Sequence, residues 1–180
     1  SKGVNVGSNC TFNMSGGNIT GNNGRGVVID AGGTFDMSGG TISGNIGGVF
    51  VDGGTFTMND TASITDNTAT GDGGGVYVRS GGSFNMYSGT ITGNDAKGSS
   101  SNGGGVYVTG SRSKFTMTDG SITGNTATGN GGGVYVEGGT FNMTDGTIGG
   151  TKDGEANTAK NGGGVYVTSG GKFEMTDGSI

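Results

Sequence analysis

Apolar residues recur along this chain in a fixed alternation with polar or small residues. A Phe-x-Met pair occurs seven times and uses all 7 methionines and all but one of the 8 phenylalanines. The pairs are Phe12/Met14, Phe35/Met37, Phe56/Met58, Phe84/Met86, Phe115/Met117, Phe141/Met143 and Phe173/Met175. An isoleucine follows each methionine after five residues, or after six in the third repeat, and an apolar-x-apolar triplet such as Val76-Tyr77-Val78 precedes each pair. Alternation with a period of two predicts β-strands.

Each repeat therefore predicts three short strands joined by glycine-rich turns. Five side chains per repeat would point inward and the residues between them outward. A repeat of this length cannot bury its apolar face alone, so neighbouring repeats must stack. The sequence predicts an all-β fold, a right-handed parallel β-helix (β-solenoid) of about seven coils with three short strands per coil. We expect one domain over residues 1–180, a fragment of a longer protein, with coils at approximately 1–23, 24–46, 47–72, 73–102, 103–130, 131–161 and 162–180.

The segments between the isoleucine and the next triplet differ most in length from one coil to the next. The longer ones are residues 65–75, 92–105, 123–133 and 149–164. In stacked repeats, insertions of this kind collect on one face. We therefore expect a variable corner of loops beside a regular stack.

Two kinds of repeated segment resemble a known family. The motif Gly-Gly-Gly-Val-Tyr-Val stands at residues 73–78, 103–108, 131–136 and 162–167, and related tracts cover residues 34–45 and 140–148. These segments resemble the β-helix repeats of large microbial surface proteins, including adhesin-like proteins. They are more distantly similar to the repeats of chlamydial-type polymorphic outer-membrane proteins, although this chain has glycine where those repeats have alanine and lacks their Phe-x-x-Asn asparagine in all coils but the third. The resemblance implies a β-helix exposed on a cell surface.

Composition and charge exclude several other classes of protein. The 47 glycines show no three-residue period and the chain has no proline, which excludes collagen. The formal net charge of −5 argues against nucleic-acid binding, because no basic stripe is present to neutralise phosphates. No apolar run is long enough to insert into a membrane.

Catalytic chemistry has little support in the sequence. The chain has no histidine, so it can form neither a Ser-His-Asp triad nor a His-Glu-x-x-His zinc site. Its arginines lie on different coils and most of its lysines lie in loops, with no converging patch. We therefore expect no enzyme activity and no cofactor. A carbohydrate-binding or polysaccharide-degrading β-helix remains an alternative by analogy of fold alone.

An aromatic ladder occupies the outward position of the triplet strand in successive coils. Its members are Phe50, Tyr77, Tyr107, Tyr135 and Tyr166. Stacked aromatic side chains stabilise a sheet, and here they would lie beneath the long corner loops. The same ladder is also our candidate surface for a partner or for sugar rings.

Rows of hydroxyl residues flank the isoleucines and suggest an ice-binding β-solenoid as an alternative function. The candidate residues are Thr41, Ser43, Ser63, Thr65, Thr90, Thr92, Ser121, Thr123 and Thr147. Serine and threonine are also ordinary outward residues of strands. Serine alternates freely with threonine here, and Gly149 interrupts one row, so the ordinary interpretation is favoured.

Two sets of polar residues mark turns. Asp119, Asp145 and Asp177 occupy the same turn of three successive coils and are weak candidate ligands for Ca²⁺. The sequence Thr-Asp-Gly is also ordinary turn chemistry, and the calcium-binding nonapeptide is absent. Asparagines after the isoleucine strand are predicted to shape local turns. They are Asn22, Asn45, Asn67, Asn94 and Asn125.

These observations predict a non-catalytic, extracellular structural or adhesive repeat module, a stalk or display scaffold of a microbial surface protein. Its expected partners are a protein or glycan on the surface of a host or neighbouring cell. Further coils or further copies are expected to stack end to end on it. Neither nucleic acid nor membrane insertion is expected.

Overall fold

The computed structural model describes the whole chain, residues 1–180. It contains 21 β-strands and no helix. The strands form three sheets of seven, eleven and three strands, and each strand pairs in parallel with its equivalent in the neighbouring coil. The predicted all-β solenoid of about seven parallel stacked coils is therefore confirmed, and the coils make about six full turns.

The apolar-x-apolar triplets form the first sheet, with one strand from each coil. Its strands are Val4–Val6, Val27–Ile29, Val49–Asp52, Val76–Arg79, Val106–Thr109, Val134–Glu137 and Val165–Thr168. Identical positions face each other across this sheet, as when Tyr107 pairs with Tyr77 on one side and Tyr135 on the other. The inward valine and isoleucine residues therefore run as columns along the stack.

The Phe-x-Met and isoleucine segments share the second sheet. In the first two coils they form single long strands with a β-bulge between the two segments, and in later coils they are separate. The strands are Thr11–Thr20, Thr34–Ser43, Thr55–Met58, Ser63–Thr65, Ser83–Met86, Thr90–Thr92, Lys114–Met117, Ser121–Thr123, Thr140–Met143, Thr147–Ile148 and Lys172–Met175.

A third, short sheet was not predicted from the sequence. It consists of Thr68–Ala69, Asp95–Ala96 and Thr126–Ala127, at the start of segments that we expected to be loops. Each of these strands has a single inward residue, an alanine. A period of two cannot be recognised in so short a segment. The predicted repeat of three strands per coil therefore missed one short strand in each of these coils.

One hydrophobic cluster of 28 buried residues fills the interior. Its most regular part is the column of phenylalanines, whose neighbouring ring centroids lie 4.5–5.0 Å apart with planes within 14° of parallel. This distance is close to the spacing of hydrogen-bonded strands. The predicted inward position of five apolar residues per coil is therefore confirmed in the middle of the stack.

Burial decreases at the two ends of the stack. Val4, Phe12 and Ile19 are only partly buried in the first coil. In the last coil, Met175 is 40% exposed and Ile180 is 60% exposed. Each coil is thus covered by its neighbours rather than by contacts within itself, as is general for solenoids.

The third glycine of the Gly-Gly-Gly-Val-Tyr-Val motif has a packing role. A Cβ atom on Gly105 would lie 2.6 Å from the carbonyl oxygen of Gly133 and 2.9 Å from the Ile122 side chain. It would also lie 3.1 Å from the Asn125 amide. The chain therefore enters the triplet strand at a corner where only glycine fits between the next coil and the core.

Candidate functional site

Buried asparagines form a ladder of side-chain amides along the corner that follows the isoleucine strand. The Oδ1 atom of Asn94 accepts hydrogen bonds from the backbone N–H and the Nδ2 of Asn67, at 3.1 and 2.9 Å. Its own Nδ2 donates to the carbonyls of Ile64 and Thr92 and to Oδ1 of Asn125. The ladder thus connects successive coils and does more than the local turn chemistry that the sequence predicted.

The left-handed backbone conformation falls on the residue before each of Asn45, Asn67, Asn94 and Asn125. Gly44, Asp66, Gly93 and Gly124 have φ angles of 53–64°. The sequence correctly predicted that turns lie at these asparagines. The physical reason was incomplete, because the preceding residue makes the turn and the asparagine bonds the next coil.

Asn157 continues the ladder and was missed from the sequence. Its Oδ1 accepts from the backbone N–H and the Nδ2 of Asn125, and its Nδ2 donates to the carbonyl of Ile122. The insertion between Ile148 and Asn157 hid the spacing. A usable signal was present, because an Asn-x-Ala motif recurs at residues 67–69, 94–96, 125–127 and 157–159.

A second ladder of the same kind precedes the Gly-Gly-Gly corners and was also missed. Asp72 accepts from the backbone N–H of Asn102 at 2.8 Å, and Asn102 accepts from that of Asn130 at 2.9 Å. Asn161 donates to Asn130 at 2.7 Å. The Asx residue before each Gly-Gly-Gly could have revealed it. Both ladders stabilise the stack and leave the loop tips free to vary.

The aromatic ladder lies in the register that the sequence predicted. Neighbouring ring centroids from Phe50 to Tyr166 are 4.8–5.4 Å apart, in edge-to-face contact near Phe50 and stacked near Tyr166. Tyr107 is only 5% exposed and Tyr135 only 7%. The middle of the ladder therefore offers no open ring faces, and a binding role for Phe50, Tyr77, Tyr107, Tyr135 and Tyr166 stays a prediction.

Arg25 covers one end of this ladder. Its guanidinium lies over the rings of Phe50 and Tyr77, 5.4 and 5.7 Å from their centroids. It donates to the carbonyl oxygens of Gly73 at 2.6 Å and Asp72 at 2.9 Å. Burial lowers the pKa of Arg25 to about 10, so the side chain remains charged at neutral pH. Arg25 thus links the corner loop of the third coil to the second coil.

Burial also raises the pKa values of three tyrosines in the ladder, Tyr77, Tyr107 and Tyr135. For Tyr107 the hydrogen bond from its hydroxyl to Glu137, 2.6 Å long, adds to the effect of burial. The phenol group is therefore held in its protonated form. The ladder is a polar and aromatic seam that is buried in its middle.

We expect this seam to make the stability of the protein fall above pH about 10. There the unfolded tyrosines lose a proton that the folded ones keep, so the free energy of unfolding decreases as pH rises. Arg25, with its lowered pKa, acts in the opposite direction but is a single group. Tyr107→Phe should lessen the loss, by at most about 1.4 kcal/mol per pH unit. Urea unfolding at neutral and alkaline pH measures it, and equal losses in the two proteins would contradict the assignment.

The hydroxyl rows also lie in register. Thr41, Ser63, Thr90, Ser121 and Thr147 form one row, in which each residue pairs with the next. Some of the hydroxyls bond each other along the stack, as Thr90 does to Ser63 at 3.2 Å. These bonds occupy hydroxyl groups that an ice-binding surface would need to offer to ice. Ice binding stays a prediction.

The three aspartates proposed for Ca²⁺ each accept a hydrogen bond from the next residue. Asp119, Asp145 and Asp177 bond the backbone N–H of the following glycine at 2.6–2.8 Å. No group of three or more acidic, histidine or cysteine side chains in the chain could hold a metal ion. The geometry matches the turn chemistry that the sequence favoured, and it gives calcium no further support.

Comparison with known proteins agrees with this architecture. Residues 61–79 and 119–137 match the family model of the Chlamydia polymorphic membrane protein repeat. Each matched segment contains an isoleucine strand, the asparagine ladder position, the Gly-Gly-Gly corner and a triplet strand. No curated protein and no solved structure matches the chain significantly. No helix in the chain is long and apolar enough to cross a membrane.

A parallel stack of such coils defines the chain as a β-solenoid repeat protein. Its repeats are similar to those of polymorphic membrane proteins, as the sequence resemblance suggested. The similarity indicates a repeat module of a surface-associated protein.

Proposed function

We propose that this chain is a rigid, non-catalytic, extracellular module that displays adhesive loops on the surface of a microbial cell. The observation that carries the proposal is the contrast between the two sides of each coil. The core columns and ladders repeat in every central coil, whereas the corner loops differ in length and composition. A residue that recurs in every coil serves the stack, so recognition is expected where the coils differ.

Two loops stand out from their neighbours. The fourth coil carries Ser99, Ser100 and Ser101 between glycine and asparagine, where the third and fifth coils have no extra residues. The sixth coil carries residues 151–156 between the glycine and the asparagine of its Ile-x-Gly-Asn segment. We place partner contact at these two loops, and the partner is a protein or glycan on another cell.

The comparison between coils supplies the test. Deleting residues 99–101 restores the loop length of the third and fifth coils, and deleting residues 151–156 brings the sixth coil to one residue less than that length. Both deletions leave the two asparagine ladders in place. The intact chain should bind members of arrays of extracellular proteins and glycans, and the double deletion should lose at least ten-fold of that binding. Circular dichroism and urea unfolding of both proteins serve as the control for folding. Array binding that survives the double deletion, or no binding by the intact chain, would contradict the proposal.

The partly exposed ends of the stack fit the expectation that further coils or copies continue it. Val165 and Phe173 at one end and Val4 and Phe12 at the other occupy the same columns. A copy placed on either end would extend every column in register. This assembly is a proposal, which sedimentation over a range of concentrations tests.

A further inference from the structure

A polar cleft of about 450 Å³ lies beside the loop of the sixth coil. Its lining contains no hydrophobic residue. Among its lining residues, Ser121, Thr123 and Thr147 belong to strands, and Ser179 bridges to Thr147. Lys152 and Glu155 line the cleft from the loop. The volume lies within the ~300–1,000 Å³ range of small-molecule sites.

The cleft results from one interruption of the stack. Gly149 stands where the row of Ser43, Thr65, Thr92 and Thr123 would have its next hydroxyl. With no side chain at that position, and with the inserted residues leaving the coil directly afterwards, a recess opens beside Thr123 and Thr147. The hydroxyl rows thus change from a continuous surface into one side of a cleft at this coil alone.

The loop is held in place by hydrogen bonds from both of its sides. The backbone N–H of Gly124 donates to the carbonyl of Glu155 at 2.9 Å, and that of Glu155 donates to the carbonyl of Lys152 at 3.1 Å. The backbone N–H of Lys152 donates to Oε2 of Glu155 at 3.1 Å. Gly150 packs so closely on the Glu155 side chain that a Cβ there would collide with it. The Glu155 carboxylate therefore has a defined position.

The polar groups of the cleft can both donate and accept hydrogen bonds. Ser179 donates to Thr147 at 3.3 Å, and Thr123 donates to Thr92 at 3.3 Å, which leaves the hydroxyl proton of Thr147 and the lone pairs of Thr123 available. Lys152 Nζ lies 3.7 Å from Glu155 Oε1, and the lysine side chain is 84% exposed. An exposed ion pair contributes at most about 1 kcal/mol, so a ligand can separate it at little cost.

We infer that this cleft binds a neutral saccharide unit. The inference rests on the proposed adhesive function and names a ligand class for one of its two loops. Ring hydroxyls donate to a carboxylate and accept from an ammonium or hydroxyl group, which is the set of partners that Glu155, Lys152 and the threonines provide. An apolar ligand would find no hydrophobic side chain in the lining, and an anion would meet the Glu155 carboxylate beside Lys152 in a chain of net charge −5. A metal ion would find a single carboxylate.

Titration of the isotope-labelled chain by NMR tests the inference, with neutral mono- and disaccharides as probes and glucuronic acid as the anionic comparison. Neutral sugars should shift the amide signals of Thr123, Thr147, Lys152 and Glu155. The double variant Thr123→Val/Thr147→Val should weaken binding at least five-fold, and so should Glu155→Gln. Glucuronic acid should bind at least five-fold more weakly than its neutral counterpart.

The stack provides a matched control. Thr41→Val/Thr65→Val removes hydroxyls from the same two rows, at least two coils away from the cleft. Its sugar binding should equal that of the unchanged chain. Shifts at other residues, no shifts with any neutral sugar, or equal losses in the control would overturn the inference. If arrays show binding that depends only on residues 99–101, the adhesive proposal stands while the saccharide cleft fails. Sugar shifts without array binding give the reverse result.

Discussion

Asn94→Ala is expected to lower the free energy of unfolding by about 1–3 kcal/mol. The substitution removes the Oδ1 atom that accepts from the backbone N–H and the Nδ2 of Asn67. Asn67 and Asn94 are both fully buried, so water cannot replace the lost acceptor. The Asn67 Nδ2 keeps the carbonyls of Ile42 and Thr65 as acceptors, so the backbone N–H of Asn67 is the donor left without a partner. A buried donor in that position costs about 1–3 kcal/mol. Urea unfolding followed by circular dichroism measures the loss.

Asn22→Ala is the matched control for this substitution. Asn22 lies at the open end of the same ladder, where it donates to Asn45 but accepts from no other residue of the ladder. Its removal leaves no buried donor unpaired, so we expect a change of less than about 1 kcal/mol. Amide exchange should rise mainly in the coils next to Asn94 in the first variant, because each coil contacts only its neighbours. Similar losses for the two variants would show that the amide ladder does not hold the coils together.

Phe115→Ala is expected to cost about 3–5 kcal/mol, the range typical of a large aromatic removed from a core. The ring is fully buried and lies between Phe84 and Phe141, with centroids 4.7 and 4.5 Å away. Its loss leaves a cavity and ends two stacking contacts. The regular β-sheet on either side cannot collapse into that space, because its hydrogen bonds fix the spacing of the coils.

Phe12→Ala provides the comparison at the end of the column. Phe12 is only partly buried and stacks on one neighbour, Phe35, at 4.9 Å. We expect less than half of the loss found for Phe115→Ala. Phe115→Leu should recover most of the stability, since it keeps much of the buried volume. Equal losses at Phe12 and Phe115 would mean that the column does not unfold as a stack of mutually supporting rings.

Both substitutions concern the part of the molecule that we propose to be a support for the loops. A stack held by buried amides and rings keeps its corner loops at fixed separations, which suits a module that presents several contacts to one partner. The loop deletions and the threonine variants change the display surface and leave these columns intact. Stability and binding are therefore expected to respond to different sets of residues.

The sequence by itself determined the columns. In the Phe-x-Met pairs and the triplets, apolar residues alternate with other residues at a period of two. Because the same pattern, with its isoleucine, recurs from coil to coil, only stacked coils can bury these apolar residues. The solenoid, the inward residues and the register of the aromatic and hydroxyl rows follow from it. These features depend on local alternation and on the fact that like residues meet in a stack.

The tertiary structure decided whatever depends on how the insertions fold. The place of Asn157 in the ladder was hidden by the loop before it, and the short alanine strands had too few residues to show a period. Arg25 and the Phe50 ring that it covers belong to different coils, so no local sequence pattern indicates their contact. The polar cleft depends on the loop of the sixth coil, which is hydrogen-bonded to Gly124. Contacts between residues far apart in the chain set each of these, and local periodicity carries no information about them.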